Sequence, residues 1–551
     1  HLESATRLPR RRPRRDATTT TARPTPRPEG GPAIAGLRAS WSRRPVSVGL
    51  IVPRGLAERA RRWTEPGPIT AAAWVFALGV AALLLRMVLR HWGARHGITH
   101  VHGAWLGLAQ RALEGHWYPA PFDGQTFAGT RFMPLSVAVL AAAWALLADP
   151  YVATKAAALL MMVVLLAQVA RALHRAGVPW AHALSLVMLI PLSTPGIDGL
   201  GAFRGDVLPV ILQLAAVHLV ARESASPRHY AGAGLLAALA VLSKLSAGWA
   251  GLAVGLVALR EPRRAFAPFA ATALLTLAAG FVGVELLSDG RFSQNILGLA
   301  GSGLARHAGS TGGVIGKFQY LWVESSLVSW ALMPVVIYEL RHAIVVRSRL
   351  DVEQVAFVIA LGLTMFILAD AGTFANHLLD LVVLTVLLAG RALGRELAEP
   401  GPRRVPVVLA VTVVLAGLAG FNHSIAPELR APVSAARDPL AEVLRGAGPY
   451  LCEDATIPIV RGERPLVTDA WIFLRWAARH PEAEAHLIGR IARRELTHVV
   501  LLRDPSDDYS REWYSVQSLS PPVIAAVQQH YVQSTVVEGY HVFVPRTAAD
   551  P

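Results

Sequence analysis

The sequence predicts an all-α polytopic membrane domain, with about eleven transmembrane helices plus a re-entrant or interfacial helix in a long first outer loop, followed by a small α/β extracytoplasmic domain. Three observations carry this reading. The chain is 53% hydrophobic, only 17% charged, and has a mean hydropathy of +0.40, which is more apolar than soluble domains of this length. Its apolar residues come in runs suited to a hydrocarbon layer roughly 30 Å thick. Its arginines collect in alternate connections between those runs, as membrane topology demands.

The basic excess is local. Residues 1–68 hold fifteen arginines against five acids, so +10 of the net +15 lies there. This stretch is rich in Pro, Arg and Thr and has too few apolar residues to fold. It reads as a disordered basic cytoplasmic tail that helps fix topology, not as a nucleic-acid arm. The chain opens on His1 rather than Met, which leaves the true start open, and no cleavable signal peptide is expected because the first apolar run begins near residue 69. Cys452 is the only cysteine, so neither an internal disulfide nor a cysteine-based metal site can form.

Twelve apolar runs follow: 69–89, 133–148, 152–172, 178–192, 207–220, 230–242, 247–259, 265–287, 320–340, 355–369, 374–393 and 405–421. The run at 133–148 is read as non-crossing. The connections carrying Arg171/Arg175, Arg222/Arg228, Arg260/Arg263/Arg264, Arg341/Arg347/Arg349 and Arg391/Arg395/Arg403/Arg404 then share one side with the basic tail. Arg204, Lys244, Arg291, Arg306 and Lys317 fall on the other. The N-terminus is therefore expected in the cytoplasm. Residues 90–151 form a long first outer loop, and 288–319 a second, glycine-rich one. The runs 230–242 and 247–259 form a tight hairpin with Ser243, Lys244, Leu245 and Ser246 at its outer tip. Domain boundaries follow as tail 1–68, membrane domain 69–421 and extracytoplasmic α/β domain 422–551. In the last of these, strand-sized runs such as THVVLL and GYHVFVP alternate with polar helical stretches.

Ionisable groups at membrane depth cost about 2.5–3.5 kcal/mol each at a helix centre, so those retained near the outer side are functional suspects. Lys244 stands out, because the chain has three lysines (Lys155, Lys244, Lys317) against fifty arginines. A compact ammonium at an apolar hairpin tip suits an interfacial phosphate; otherwise it is a snorkelling helix end. Arg204 and Asp206 of FRGDVLP open the fifth run. They could bind a phosphate and a hydroxyl, or Asp206 could simply start a helix. In the first outer loop, 103–118 has an amphipathic pattern expected of an interfacial helix. Glu114 at its end could act as a general base, and Arg131 of GTRFMPL could clamp a phosphate. His100 and His102 form an HxH pair without an evident third metal ligand. Asn376, His377 and Asp380 lie at the outer start of the tenth crossing, lining a cavity or bonding between helices. Cys452, Glu453 and Asp454 read as a surface loop with a buried thiol.

Together the stretches LAQRALEGHWYPAPFDG, GTRFMPL, FRGDVLPV, ALAVLSKLSAG, GTFANHLLDL and EDATIPIVRGERPLVTD resemble the GT-C superfamily of membrane glycosyltransferases, most closely the bacterial RgtA/B/C/D-like and protein-mannosyltransferase-like group. The match spans roughly residues 70–551. The resemblance implies transfer of a sugar from a polyprenyl-phosphate donor to an acceptor on the extracytoplasmic face of the plasma membrane. Asp206, Glu114 and His102 are then the candidates for catalysis, Lys244, Arg204 and Arg131 for the lipid phosphate, and Asn376 and His377 for the cavity. No resident cofactor is expected, a divalent metal stays open, and the acceptor (glycan, lipid or protein) is unspecified. The sequence departs from the superfamily early in the first outer loop. HWGARHGITHVHGAW holds no Asp or Glu, and His102 stands where the acid is expected. Two other readings therefore stay open, a transporter or lipid permease and an inactive GT-C-like binding or scaffold protein.

Overall fold

The computed structural model describes residues 66–547 except 96, 223–224, 261–262, 300–310, 326, 369–372, 399–403 and 431–436. The basic tail, apart from its last three residues, and Arg306 and Arg403 lie outside the described residues.

The membrane part comprises α1 (Pro66–Arg90), α2 (His100–Leu113), α3 (Pro134–Leu147), α4 (Pro150–Arg175), α5 (Trp180–Val187), α6 (Thr194–Gly201), α7 (Val207–Val220), α8 (Pro227–Ser243), α9 (Trp249–Arg260), α10 (Arg263–Leu287), α11 (Arg291–Leu299), α12 (Thr311–Ser325), α13 (Leu327–His342), α14 (Val352–Ile367), α15 (Leu379–Ala398), α16 (Arg404–Gly420) and α17 (Ala426–Arg430). A 3-10 turn, Ala375–Leu378, leads into α15. Each of the eleven runs read as crossings contains a helix. Among the described residues, five helical stretches (α1, α4, α10, α13 extended to Arg347, and α15 with its leading turn) are long and apolar enough to cross a membrane. Their outer surfaces confirm the solvent they expect. Leu85, Leu160, Leu274, Leu275, Leu286 and Ile337 are each more than half exposed, a pattern that water penalises and lipid does not. The chain is a multi-pass membrane protein. Burial separates rim from centre: the apolar window of α10 is 6% buried, that of α15 83%.

Several expectations are corrected. The run at 178–192 is helical only over Trp180–Val187, before a turn and α6. The crossing expected at 320–340 is displaced to Leu327–Arg347, because the apolar face continues past Leu340. The second outer loop is partly helical, holding α11 and the start of α12. The run at 133–148 forms α3, a short apolar helix of fourteen residues. The hairpin forms as expected: α8 ends at Ser243 and α9 begins at Trp249.

The C-terminal part is a small α/β layer. Strands β1 (Tyr450–Cys452), β2 (His498–Leu501), β3 (Tyr531–Val537) and β4 (Tyr540–Pro545) form one sheet in the order β1-β2-β4-β3. The β1/β2 pair is parallel, and β2/β4 and β3/β4 are antiparallel. Helices α18 (Thr456–Val460), α19 (Ala470–Ala477), α20 (Pro481–Ala492), α21 (Asp508–Val516) and α22 (Pro521–His530) accompany it. Cys452 is not in a surface loop; it ends β1, and Cys452, Glu453 and Asp454 are all buried.

This layer and the first outer loop are welded together. The Phe127 backbone N–H donates to the Leu466 carbonyl at 2.8 Å, and Thr468 N–H donates to the Phe127 carbonyl at 2.9 Å. The Phe127 ring packs edge-on against Phe473, 5.3 Å between centroids. Helix α2 is therefore not an interfacial helix lying in lipid. A Cβ on Gly103 would sit 2.9 Å from the Thr456 nitrogen, and one on Gly107 2.7 Å from a Thr468 methyl. The small residues of α2 let α18 settle directly upon it.

A buried ionic clasp completes the junction. Asp454, fully inaccessible, accepts from Arg95 beyond the end of α1, from the Tyr540 hydroxyl at 2.7 Å, and from the Thr456 N–H and hydroxyl at 3.0 and 2.7 Å. Removing one member of such a pair leaves the others without partners, at a cost of about 3 kcal/mol. Asp454→Ala is accordingly expected to accelerate proteolysis and hydrogen exchange across residues 437–547 while helices α4 and α15 stay protected. Unchanged exchange in the C-terminal layer would contradict the clasp.

Candidate functional site

Four separate segments converge at the end of the bundle that faces the C-terminal layer. The first is the α6–α7 connection. Gly205 adopts φ +69°, and a Cβ there would meet the Trp105 ring at 2.4 Å. Only glycine allows both the left-handed turn and that approach. Trp105 in turn stacks on Phe132 at 4.0 Å and meets Phe203 edge-on at 5.7 Å. One indole thus fixes the two loops that carry Arg131 and the Arg204–Asp206 turn. The Phe203 N–H donates to Thr154 Oγ1 at 3.0 Å, which pins the same turn to α4.

The second segment is the hairpin tip. Ser136 Oγ on α3 donates to the Ser243 carbonyl at 2.9 Å, and the Ala250 N–H donates to Gln213 Oε1 at 3.3 Å. Lys244 extends from this held turn and donates to Asp206 Oδ1 at 2.7 Å. The third segment is the 3-10 turn before α15. There the Asn376 amide donates to Oδ1 and Oδ2 of Asp206 at 3.0 and 3.1 Å. Asp206 is thus held by both Lys244 and Asn376. Its side chain is 8% accessible, that of Lys244 22%. The fourth segment is the loop before α3. Buried Asn295 accepts from the Thr130 N–H at 2.9 Å and donates to the Pro119 carbonyl at 3.0 Å, which sets the neighbouring Arg131. The Arg131 guanidinium lies 4.5 Å over the Trp471 ring of α19.

Charge gathers around His377. Lys244, Arg131, Arg204 and Lys317 all act electrostatically on its ring. Asp380, one turn further on, feels both Lys244 and Asp206. Arg204 is held by Asp198 of α6 at 3.0 Å.

Of the residues singled out in the sequence, Asp206, Lys244, Arg204, Arg131, Asn376 and His377 come together. Glu114 does not join them. It pairs with Arg464 of the C-terminal layer at 2.8 Å, at a partly exposed position. His102 lies within electrostatic range of Arg204 but is committed locally. Its Nδ1 accepts from the Thr99 N–H at 2.9 Å, one arm of a capping box with His in the Glu/Gln place. Nε2 then carries the ring proton, so neither nitrogen is available to take one from a substrate. Its neighbour His100 meets Trp513 edge-on at 5.9 Å rather than any metal-ligand set. Sequence reading missed Asp198 and Lys317. Asp198 lay hidden in the Gly-rich tail of an apolar run, and Lys317 appeared only as a basic residue of a loop.

The His102 environment makes a pH prediction. Burial, followed by repulsion from Arg204, lowers its pKa from 6.5 to about 3. Below about pH 6.5 the unfolded chain binds a proton that the folded chain refuses, so stability falls as pH drops towards 3, by up to about 1.4 kcal/mol per pH unit. Gln at this position keeps the capping arm and cannot titrate. Thermal unfolding of His102→Gln is expected to match the parent near neutrality and to lose less stability between about pH 6 and 4. An identical acid slope would contradict a neutral buried imidazole.

No protein-family profile and no curated protein sequence matches the chain. Solved structures do. ArnT from Cupriavidus metallidurans in its apo state superposes with a TM-score of 0.56 at 15% identity, covering 86% of this chain and 98% of that one. The same protein bound to undecaprenyl phosphate gives 0.58 at 13% identity, covering 88% and 99%. The apo oligosaccharyltransferase of Archaeoglobus fulgidus gives 0.48 at 12% identity, covering 89% and 76%. The likeness to ArnT, at these identities, is one of fold, and it extends over most of the chain.

Proposed function

We propose that the protein is a glycosyltransferase that moves a sugar from a polyprenyl-phosphate donor to a hydroxyl acceptor on the extracytoplasmic face. The observation that carries this reading is the Lys244–Asp206–Asn376 cluster at one end of the apolar bundle, beside a His377 ring that Arg131, Arg204 and Lys317 also act upon. The ArnT likeness extends over nearly the whole chain, and ArnT has been seen with undecaprenyl phosphate bound, a ligand of the chemistry this cation set suits.

The parts act as follows. The donor phosphate draws Lys244 away from Asp206 Oδ1, while Asn376 keeps the carboxylate oriented. The acceptor oxygen attacks the anomeric carbon as the bond from that carbon to the phosphate oxygen breaks. The bonding pair leaves with the polyprenyl phosphate, and the hydroxyl proton passes to Asp206. Lys244, Arg204 and Arg131 meet the negative charge that grows on the leaving phosphate, where preorganised cations are most effective. Asp206 thus fills the acid role left vacant early in the first outer loop. Glu114 and His102 are left to structure.

The test uses purified protein in proteoliposomes with a panel of radiolabelled undecaprenyl-phosphate pentoses and hexoses. Lys244→Ala and Asp206→Asn are each expected to lower transfer by at least about 100-fold, with Glu114→Gln staying within about twofold of the parent. Equal turnover in Lys244→Ala would overturn the reading, as would solute flux without transfer.

A further inference from the structure

The end of the bundle opposite the Lys244 cluster carries a second anion-directed feature. Helix α9 starts beside the Lys244 turn and ends at Arg260. Helix α14 starts just after Leu350 and runs back towards the Asn376 turn. The far ends of these two packed helices border a cavity of about 420 Å³ lined by Arg260, Ile344, Ser348, Arg349 and Leu350.

Three properties of this cavity are informative. Its polar groups are two guanidinium groups and one hydroxyl, all donors suited to phosphate oxygens. Neither Arg260 nor Arg349 has a hydrogen bond or ion pair among the described residues, whereas neighbouring Arg347 already faces Asp351 at 3.8 Å. The surrounding wall is apolar and outward-facing: Leu259, Ile344, Val345 and Val346 are each 60% exposed or more. Such a wall suits acyl chains and not water. Ser348, in a left-handed turn at φ +57°, ends the π-helical extension of α13 and turns the chain to place Arg349 and Leu350 at the rim.

The geometry points to a binding site for a phosphate-bearing headgroup, with an anionic phospholipid of the leaflet opposite the catalytic cluster as its occupant. Basic recesses between helix ends at a bilayer surface attract such lipids by roughly 1 kcal/mol per arginine. The same two guanidinium groups could hold a free phosphate, but the exposed Leu259–Ile344–Val345–Val346 wall favours a ligand with hydrocarbon attached. The site is distinct from the donor site, since α9 and α14 separate the two by the length of a helix, about 18–24 Å.

Native mass spectrometry of the full-length protein in detergent, with phosphatidylglycerol and phosphatidylcholine of equal chain length as competing probes, tests the proposal. The parent is expected to retain phosphatidylglycerol preferentially. Arg260→Gln and Arg349→Gln should each weaken that preference by about fivefold, the equivalent of ~1 kcal/mol, and the double variant should abolish it. Both residues are exposed at helix ends, and an Arg222→Gln/Arg228→Gln control removes equal charge elsewhere on the same side and should keep the preference. Displacement of the lipid by millimolar inorganic phosphate, lost in the double variant, would keep the anion site and assign it to a soluble phosphate. Full retention by the double variant, or equal loss in the control, would overturn the site.

Discussion

The ion pair between Lys244 and Asp206, clamped from a third side by Asn376, is the constraint around which this end of the molecule is organised. Each charge alone costs about 2.5–3.5 kcal/mol at the centre of a membrane helix. Together, at 2.7 Å, they partly neutralise one another and persist in a low-dielectric setting. The pair also ties together three segments far apart in sequence: the α6–α7 turn, the α8–α9 hairpin and the entry to α15. Breaking it frees both a base and an ammonium, which is what the arrival of an anionic substrate would do.

The support for this pair lies outside it. Trp105 holds the Arg131 and Arg204 loops in register through two aromatic contacts and the missing Cβ of Gly205. Asn295 fixes the loop before α3, and Arg131 reaches over Trp471 of the C-terminal layer. The first outer loop and the C-terminal layer share backbone hydrogen bonds at Phe127 and a buried ionic clasp at Asp454. The roof of the site is therefore coupled to its floor, and a change in either can reach the reacting groups.

Much of this was legible in the sequence. Apolar run length locates membrane helices because lipid leaves few alternatives for a buried backbone, and arginine placement separated the two ends. Scarcity marked Lys244, one lysine of three. The FRGD turn betrayed itself by a glycine between two charges. What sequence could not give was partnership. Nothing local says that Asn376 meets Asp206 across 170 positions, that Glu114 turns to Arg464, or that His102 spends its ring on a capping arm. The amphipathic pattern of α2 was real, but its Trp105 side packs on the Phe132 and Phe203 loops while α18 settles on the Gly103–Gly107 side, and periodicity cannot tell a protein cover from a lipid one. Asp198 escaped notice because a short glycine-rich helix looks like the frayed end of an apolar run.

The most direct measurement is a cryo-electron microscopy structure of the protein loaded with undecaprenyl phosphate. The account predicts that the phosphate sits against the Lys244 ammonium, that Lys244 leaves hydrogen-bond distance of Asp206, and that Asn376 keeps its hold on the carboxylate. A phosphate bound elsewhere, with the Lys244–Asp206 contact unchanged, would contradict it.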